Sequence, residues 1–385
     1  MFGVVGGGIS GLYCALKLSE KHKVVLIDER DYLGGRIKTQ HKMELGAARF
    51  NSSHTILLSL IKRYDLHPIR LPRRFDYIHC DHSIVHYKNA HKAFDACIQS
   101  VLDQTPLDDS LRDISFYTLC QRLLGDEAPL LLSVFGYYTE MKELNAYDAI
   151  QTFQKDFIAT TYYILEEGLS TLCDCMAKEI RRNGSIIYTN EKVLKTTKNR
   201  LHTTRRTIDV DHIIFCTKAS QMVGFPKLKN YTRFLYEAPL LRIYAKYKTP
   251  WFKDLHRITT NNILRQIIPI GDGIIMVSYT DGKDTEPFIP LLKKEKELIH
   301  LIQTNLSLLF PEHTIPYPEY IVPYFWEVGT HAWKPGAHSD RMYEEVIHPY
   351  ENVYVCGEAY SKHQAWMEGA LNMAQDVLSK LNLEI

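Results

Sequence analysis

The 385-residue sequence lacks what several classes of protein require. No apolar run reaches the roughly 18 residues that a membrane-spanning helix needs, so no span is expected. No charge of one sign dominates: 46 Lys and Arg stand against 45 Asp and Glu, a net +1. That balance leaves no footprint for nucleic acid and no polybasic membrane patch. No Cys-x-x-Cys pair occurs. The eight cysteines (Cys14, Cys80, Cys97, Cys120, Cys173, Cys175, Cys216 and Cys356) lie mostly inside apolar segments. They are expected to be reduced core thiols of an intracellular, cytoplasmic protein, neither a disulfide framework nor a zinc site. Internal repeats and low-complexity linkers are also missing. A secretory leader is not expected, because Phe2–Val5 already reads as a strand feeding a glycine loop.

What is present has ordinary globular proportions, 45% hydrophobic and 24% charged. The length exceeds one simple core and implies two or three domains. Phe2–Val5, Ser10–Ser19 and Val24–Ile27 read as strand, amphipathic helix and strand, a βαβ start. A helix is expected over His54–Tyr64 and a hairpin over Asp76–His79 and Ile84–Tyr87. From Lys92 to about Tyr163 the pattern is helical, with stops near Pro106, Gly125 and Gly136. Strands are expected at Ser185–Tyr188, Val193–Thr197, Thr207–Val210 and His212–Phe215. Others are expected at Leu240–Tyr247, Ile263–Pro269, Ile274–Tyr279 and Asn352–Cys356, with helices over Pro290–Leu308 and Met367–Leu381.

Gly6-Gly7-Gly8-Ile9-Ser10-Gly11 has the G-x-G-x-x-G spacing between a strand and a helix. Gly6 permits the tight turn, Gly8 lets a pyrophosphate approach the backbone, and Gly11 lets helix and strand pack closely. The helix N-terminus, from Ile9 and Ser10, offers free N–H groups to phosphate. Asp28 ends the second strand, where a carboxylate accepts hydrogen bonds from ribose hydroxyls and repels a 2′-phosphate. Glu29 is the competing acid.

The stretch Asp28-Glu29-Arg30-Asp31-Tyr32-Leu33-Gly34-Gly35-Arg36 resembles the E-A-R-D-R-V-G-G-R segment of the flavin amine oxidases. The resemblance moves the expected cofactor from NAD to FAD, held non-covalently. It places Gly35, Arg36 and Arg30 near the FAD phosphates, where an arginine fork suits a pyrophosphate. At the other end, Val353–Cys356 leads into Gly357-Glu358, and Trp366-Met367-Glu368-Gly369-Ala370 opens a helix. The resemblance implies flavin contacts at Gly357, Glu358, Trp366 and Met367, and an adenine contact at Val193.

Met43-Glu44-Leu45-Gly46-Ala47-Ala48-Arg49-Phe50 bears on substrate. It is similar to the E-L-G-P-M-R segment of L-amino-acid oxidases, which implies that Arg49 clamps a substrate carboxylate and that Gly46 and Ala47 line the cofactor. Trp366 would wall a narrow channel beside the flavin, with His331, Trp333 and His363 as further lining candidates. Arg73 and Arg74 read as a solvated loop. Two features depart from the family. Trp326–Gly336 has no cysteine for covalent flavin attachment. In the strand around Leu240–Lys248, Arg242 takes the register where the family commonly places a lysine against flavin N5.

The resemblance implies an α/β fold. A Rossmann-type FAD domain would be assembled from residues 1–72, 165–225 and 346–385. An interleaved substrate domain would comprise a mostly helical 73–164 and a sheet-rich 226–345. The implied reaction is hydride transfer from a small-molecule amine or amino acid to flavin, with O2 as acceptor giving hydrogen peroxide. Arg49, Trp366 and Arg242 are the expected catalytic side chains. Three alternatives remain: a monoamine or polyamine oxidase without carboxylate recognition, a C–C dehydrogenase like the protoporphyrinogen oxidases and desaturases, and a flavin-binding protein without turnover.

Overall fold

The computed structural model describes residues 1–135, 138–156, 160–197, 199–222 and 226–381. The expected stop at Gly136 lies outside them. The chain divides into two compact units. The first comprises Met1–Leu71, Thr161–Leu235 and Ala337–Ile385, and the second Pro72–Thr160 and Tyr236–Gly336.

The first unit is built on a five-stranded parallel sheet in the order Ile186–Tyr188, Val24–Ile27, Phe2–Val5, His212–Phe215, Val353–Val355. Phe2–Val5 and Val24–Ile27 are buried along their whole length. That is why they read as unbroken apolar runs: a parallel sheet is covered on both faces. The helix Ile9–Ser19 exposes little, since only Lys17 of its eleven residues escapes burial. It packs against the helices Leu169–Arg182 and Met367–Lys380. Three separated stretches of chain thus build one nucleotide-type sheet, as the fold expected from the sequence requires.

Among the departures of this unit from the expectation, two bear on the site. The helix Leu169–Arg182 is additional; its buried Leu169, Leu172, Cys173, Met176, Ala177 and Ile180 form a stripe at helical spacing. Tyr162–Leu165, expected to end the helical stretch, is instead a strand paired antiparallel with Phe50–Asn51 and Pro68–Arg70. Two adjacent tyrosines and an isoleucine suit a pleated, half-buried surface better than a helix.

The second unit carries a seven-stranded sheet in the order Tyr320–Trp333, Leu235–Lys246, Ile274–Asp281, Gln266–Gly271, Arg257–Thr260, Phe75–Cys80, Ile84–Tyr87. Within it Phe75–Cys80 runs parallel to Arg257–Thr260 and antiparallel to Ile84–Tyr87, the expected hairpin. Phe75 and Tyr77 join the core of the helices between Ala90 and Asp156. Ile78 joins a second core with Leu241, Ile243, Ala245, Ile275 and Val277, on which the helix Glu295–Leu309 packs through Leu298, Ile302 and Leu306. Alternate residues of one strand therefore serve two cores. The strand Arg257–Thr260 and the fourteen-residue strand Tyr320–Trp333 are additional to the expectation. Gly329 in the latter lies so close to the neighbouring strand that a Cβ there would come within 2.3 Å of the Leu240 Cβ. Among the described residues no helix is long and apolar enough to cross a membrane.

Candidate active site

The glycine loop divides into packing positions and bare positions. Gly6 has φ +104°, and a Cβ on it would lie 2.5 Å from the Cys216 carbonyl oxygen. A Cβ on Gly11 would lie 1.9 Å from the Gly6 oxygen, so helix and strand close only on glycine. Gly8 is different: the nearest atom to its hypothetical Cβ is the Gly35 Cα, 3.9 Å away. Gly357, at φ +135°, meets only the Ser10 Oγ at 3.7 Å. Gly34 N–H donates to the Gly7 carbonyl at 2.8 Å, joining the two glycine turns back to back. Ile9–Ser19 begins at Gly8 with no side-chain cap, so its first N–H groups are left for an anion. Bare backbone at Gly8 and Gly357, beside an uncapped helix N-terminus, fits the pyrophosphate of a dinucleotide such as FAD, while Gly35 packs closely on Gly8, its hypothetical Cβ 3.0 Å from the Gly8 Cα.

The acidic residues sort themselves by burial. The Asp28 carboxylate is buried, accepting Gly7 N–H at 2.6 Å and Arg30 N–H at 2.8 Å. Burial pushes its pKa up, and the two backbone bonds oppose the rise. Glu29 is exposed, accepts a bond from Gln221 at 3.0 Å and lies 3.8 Å from Lys192 Nζ. Asn190 N–H and Glu191 N–H donate to the Arg30 and Asp28 carbonyls, which brings the chain leading to Val193 beside the end of the second strand. Arg30 braces the Gly35 carbonyl at 3.0 Å. Arg36 and Glu358, drawn from opposite ends of the sequence, form a 2.9 Å ion pair. The other Glu358 oxygen accepts Ala365 N–H at 2.8 Å, holding a residue with φ +63°.

Gly46 and Ala47 run beside Arg36, whose carbonyl accepts Ala47 N–H at 2.9 Å. Glu44 accepts Leu169 N–H and Glu368 accepts Ile56 and Leu57 N–H, so both carboxylates cap helices. Arg49 places its guanidinium 5.5 Å from the centre of the Tyr162 ring. Tyr162 in turn stacks on Trp366 at 6.2 Å and 28°. His54 meets Trp366 edge-on at 4.9 Å, and His363 lies 5.7 Å from His54. Trp366 is the residue immediately before the helix Met367–Lys380. Tyr162 and His54 were not foreseen as members of this group. Tyr162 carries no motif and becomes visible only once its segment is a strand opposite Phe50–Asn51.

In the second unit Arg242 is buried on the strand Leu235–Lys246, opposite Tyr279, with its guanidinium 4.7 Å from that ring. It alternates with Leu241 and Ile243, so it points to the face away from their core. His331 is fully buried with Nε2 3.5 Å from Glu237. Trp333 is buried too, and its carbonyl accepts two bonds from Asn145. Arg73 and Arg74 are exposed and lie 2.7 Å and 3.8 Å from Asp95 and Asp76.

A Rossmann-type sheet with this cradle is the architecture of a dinucleotide-binding protein. Residues 9–377 match the family described as flavin containing amine oxidoreductase, and the chain belongs to that family: it is an FAD-dependent amine oxidoreductase. Wild-type putrescine oxidase bound to putrescine superposes with a TM-score of 0.79 at 16% identity, over 99% of this chain and 98% of that one. A variant of putrescine oxidase redesigned in cofactor binding gives 0.79 at 16% identity over 98% of each chain. At that identity the likeness speaks for the fold. An uncharacterized protein of Acanthamoeba polyphaga mimivirus is 35% identical over 103 residues, 24% of this chain and 19% of that protein. The match thus spans about a fifth of that relative's length.

Proposed function

We propose that the protein oxidises a small amine bearing a carboxylate, an amino acid or a close relative, with O2 as the electron acceptor. The observation that carries this reading is Arg49 beside the Tyr162–Trp366 pair. A permanently charged planar donor suits an α-carboxylate. Two near-parallel rings next to it suit the flat alignment of a small substrate and exclude water. FAD, when bound, supplies the redox chemistry by accepting a hydride. The cradle of Gly8 and Gly357 would hold its pyrophosphate, Asp28 its ribose, and Arg36 with Glu358 the remainder of its polar chain. The chain's own residues then supply position and electrostatics, and the amine needs no side-chain base if it binds unprotonated.

The two rings by themselves would also suit a plain cationic amine, since aromatic faces attract ammonium groups. Arg49 decides between the readings. Arg49→Met is expected to raise KM for the amino acid by tens- to several hundred-fold, the equivalent of about 2–4 kcal/mol for losing a charge-assisted bidentate pair. The matching decarboxylated amine should be almost unaffected. Equal changes for both substrates would show that Arg49 does not read a carboxylate.

A further inference from the structure

Three cysteines far apart in sequence converge in the first unit. The Cys14 Sγ lies 3.7 Å from the Cys356 Sγ, and the Cys216 Sγ lies 3.3 Å from it. All three sulfurs fall within 4.8 Å of one another. Cys14 comes from the helix Ile9–Ser19, Cys216 follows the strand His212–Phe215, and Cys356 follows Val353–Val355. Cys14 and Cys356 are buried, while Cys216 is half-buried as a residue. Sequence spacing hides the group, because 342 residues separate Cys14 from Cys356.

We propose that Cys14, Cys216 and Cys356 form a binding site for one soft monovalent cation, Cu(I). A metal about 2.3 Å from each of three thiolate sulfurs sets them about 3.8–4.0 Å apart, the scale of the separations here. The described residues add no histidine or carboxylate to the group. Three sulfurs without a fourth ligand suit trigonal Cu(I) rather than the closed four-ligand site of zinc. The site underlies the nucleotide loop: Gly6 is held against the Cys216 carbonyl, and Cys216 N–H donates to the Val5 carbonyl. A bound ion would tie the first, middle and last stretches of the discontinuous unit together beneath the cofactor cradle. Binding would release thiol protons and favour the folded chain.

The test uses the FAD-loaded protein, fully reduced and handled without oxygen, titrated with Cu(I) from a chromogenic chelator. One Cu(I) per chain should be retained against the chelator, with a near-ultraviolet copper–thiolate absorption and a raised Tm. C356S and C216S should lose all three signals while keeping their flavin. C120S, altered in the second unit, should keep them. Wild-type protein that retains no copper, or C216S that retains as much as wild type, would overturn the assignment.

Discussion

Asp28 carries two kinds of load that the sequence cannot separate. The family resemblance assigns it to a ribose, and its carboxylate is also the acceptor for the Gly7 and Arg30 N–H groups that shape the glycine loop. Asp28→Ala therefore frees two backbone donors and is expected to weaken FAD binding by about 1–3 kcal/mol. Gly8→Val should be worse, because its side chain would fill the space that only Gly35 approaches. Both are checked by titrating apoprotein with FAD, and wild-type affinity in either variant would refute the cradle. The glycines, Asp28 and Arg36 were legible in sequence because their chemistry is local: a turn, a helix start, a strand end. Tyr162 and His54 were not, because they reach Trp366 only through long-range pairing. Glu368, conspicuous beside Trp366, proves to cap the helix Thr55–Arg63.

Among elements, the C-terminal end of that helix is tied to Leu169–Arg182 by an electrostatic clasp. Arg63 bonds Glu179 through two nitrogens at 2.5 and 3.3 Å, and Tyr64 donates to the same carboxylate at 2.7 Å. Burial would raise the pKa of Glu179, but the bonds from Arg63 and Tyr64 outweigh it and pull the pKa below the ordinary value. A depressed carboxylate stabilises fully above its unfolded pKa, about 4.3, and that stabilisation fades as pH falls toward the folded-state value. Glu179→Gln should therefore lower Tm at pH 7, and the gap from wild type should close below about pH 4.3. A gap that stays constant on acidification would show that the clasp is packing alone. Apolar strands bounded by turns, such as Phe2–Val5 and His212–Phe215, were readable to the residue. The strand Tyr320–Trp333 was not, because Pro323 and Gly329 interrupt its apolar run. It lies at the edge of its sheet, a position where proline is tolerated.

For the whole molecule, fold class was legible because two sets of residues at opposite chain ends specify one sheet, and Arg36–Glu358 joins them directly. The proposed substrate reading was less legible, since Arg49, Tyr162 and Trp366 meet only through long-range contacts.

The central claim is that this chain oxidises an amine with its bound FAD. The direct measurement is anaerobic mixing of the yellow holoprotein with a panel of amino acids and then of amines, following the flavin absorption. The account predicts bleaching by at least one amino acid, faster than by its decarboxylated counterpart, and recovery of the colour when oxygen is admitted. Flavin that stays oxidised with every amine and amino acid would contradict it.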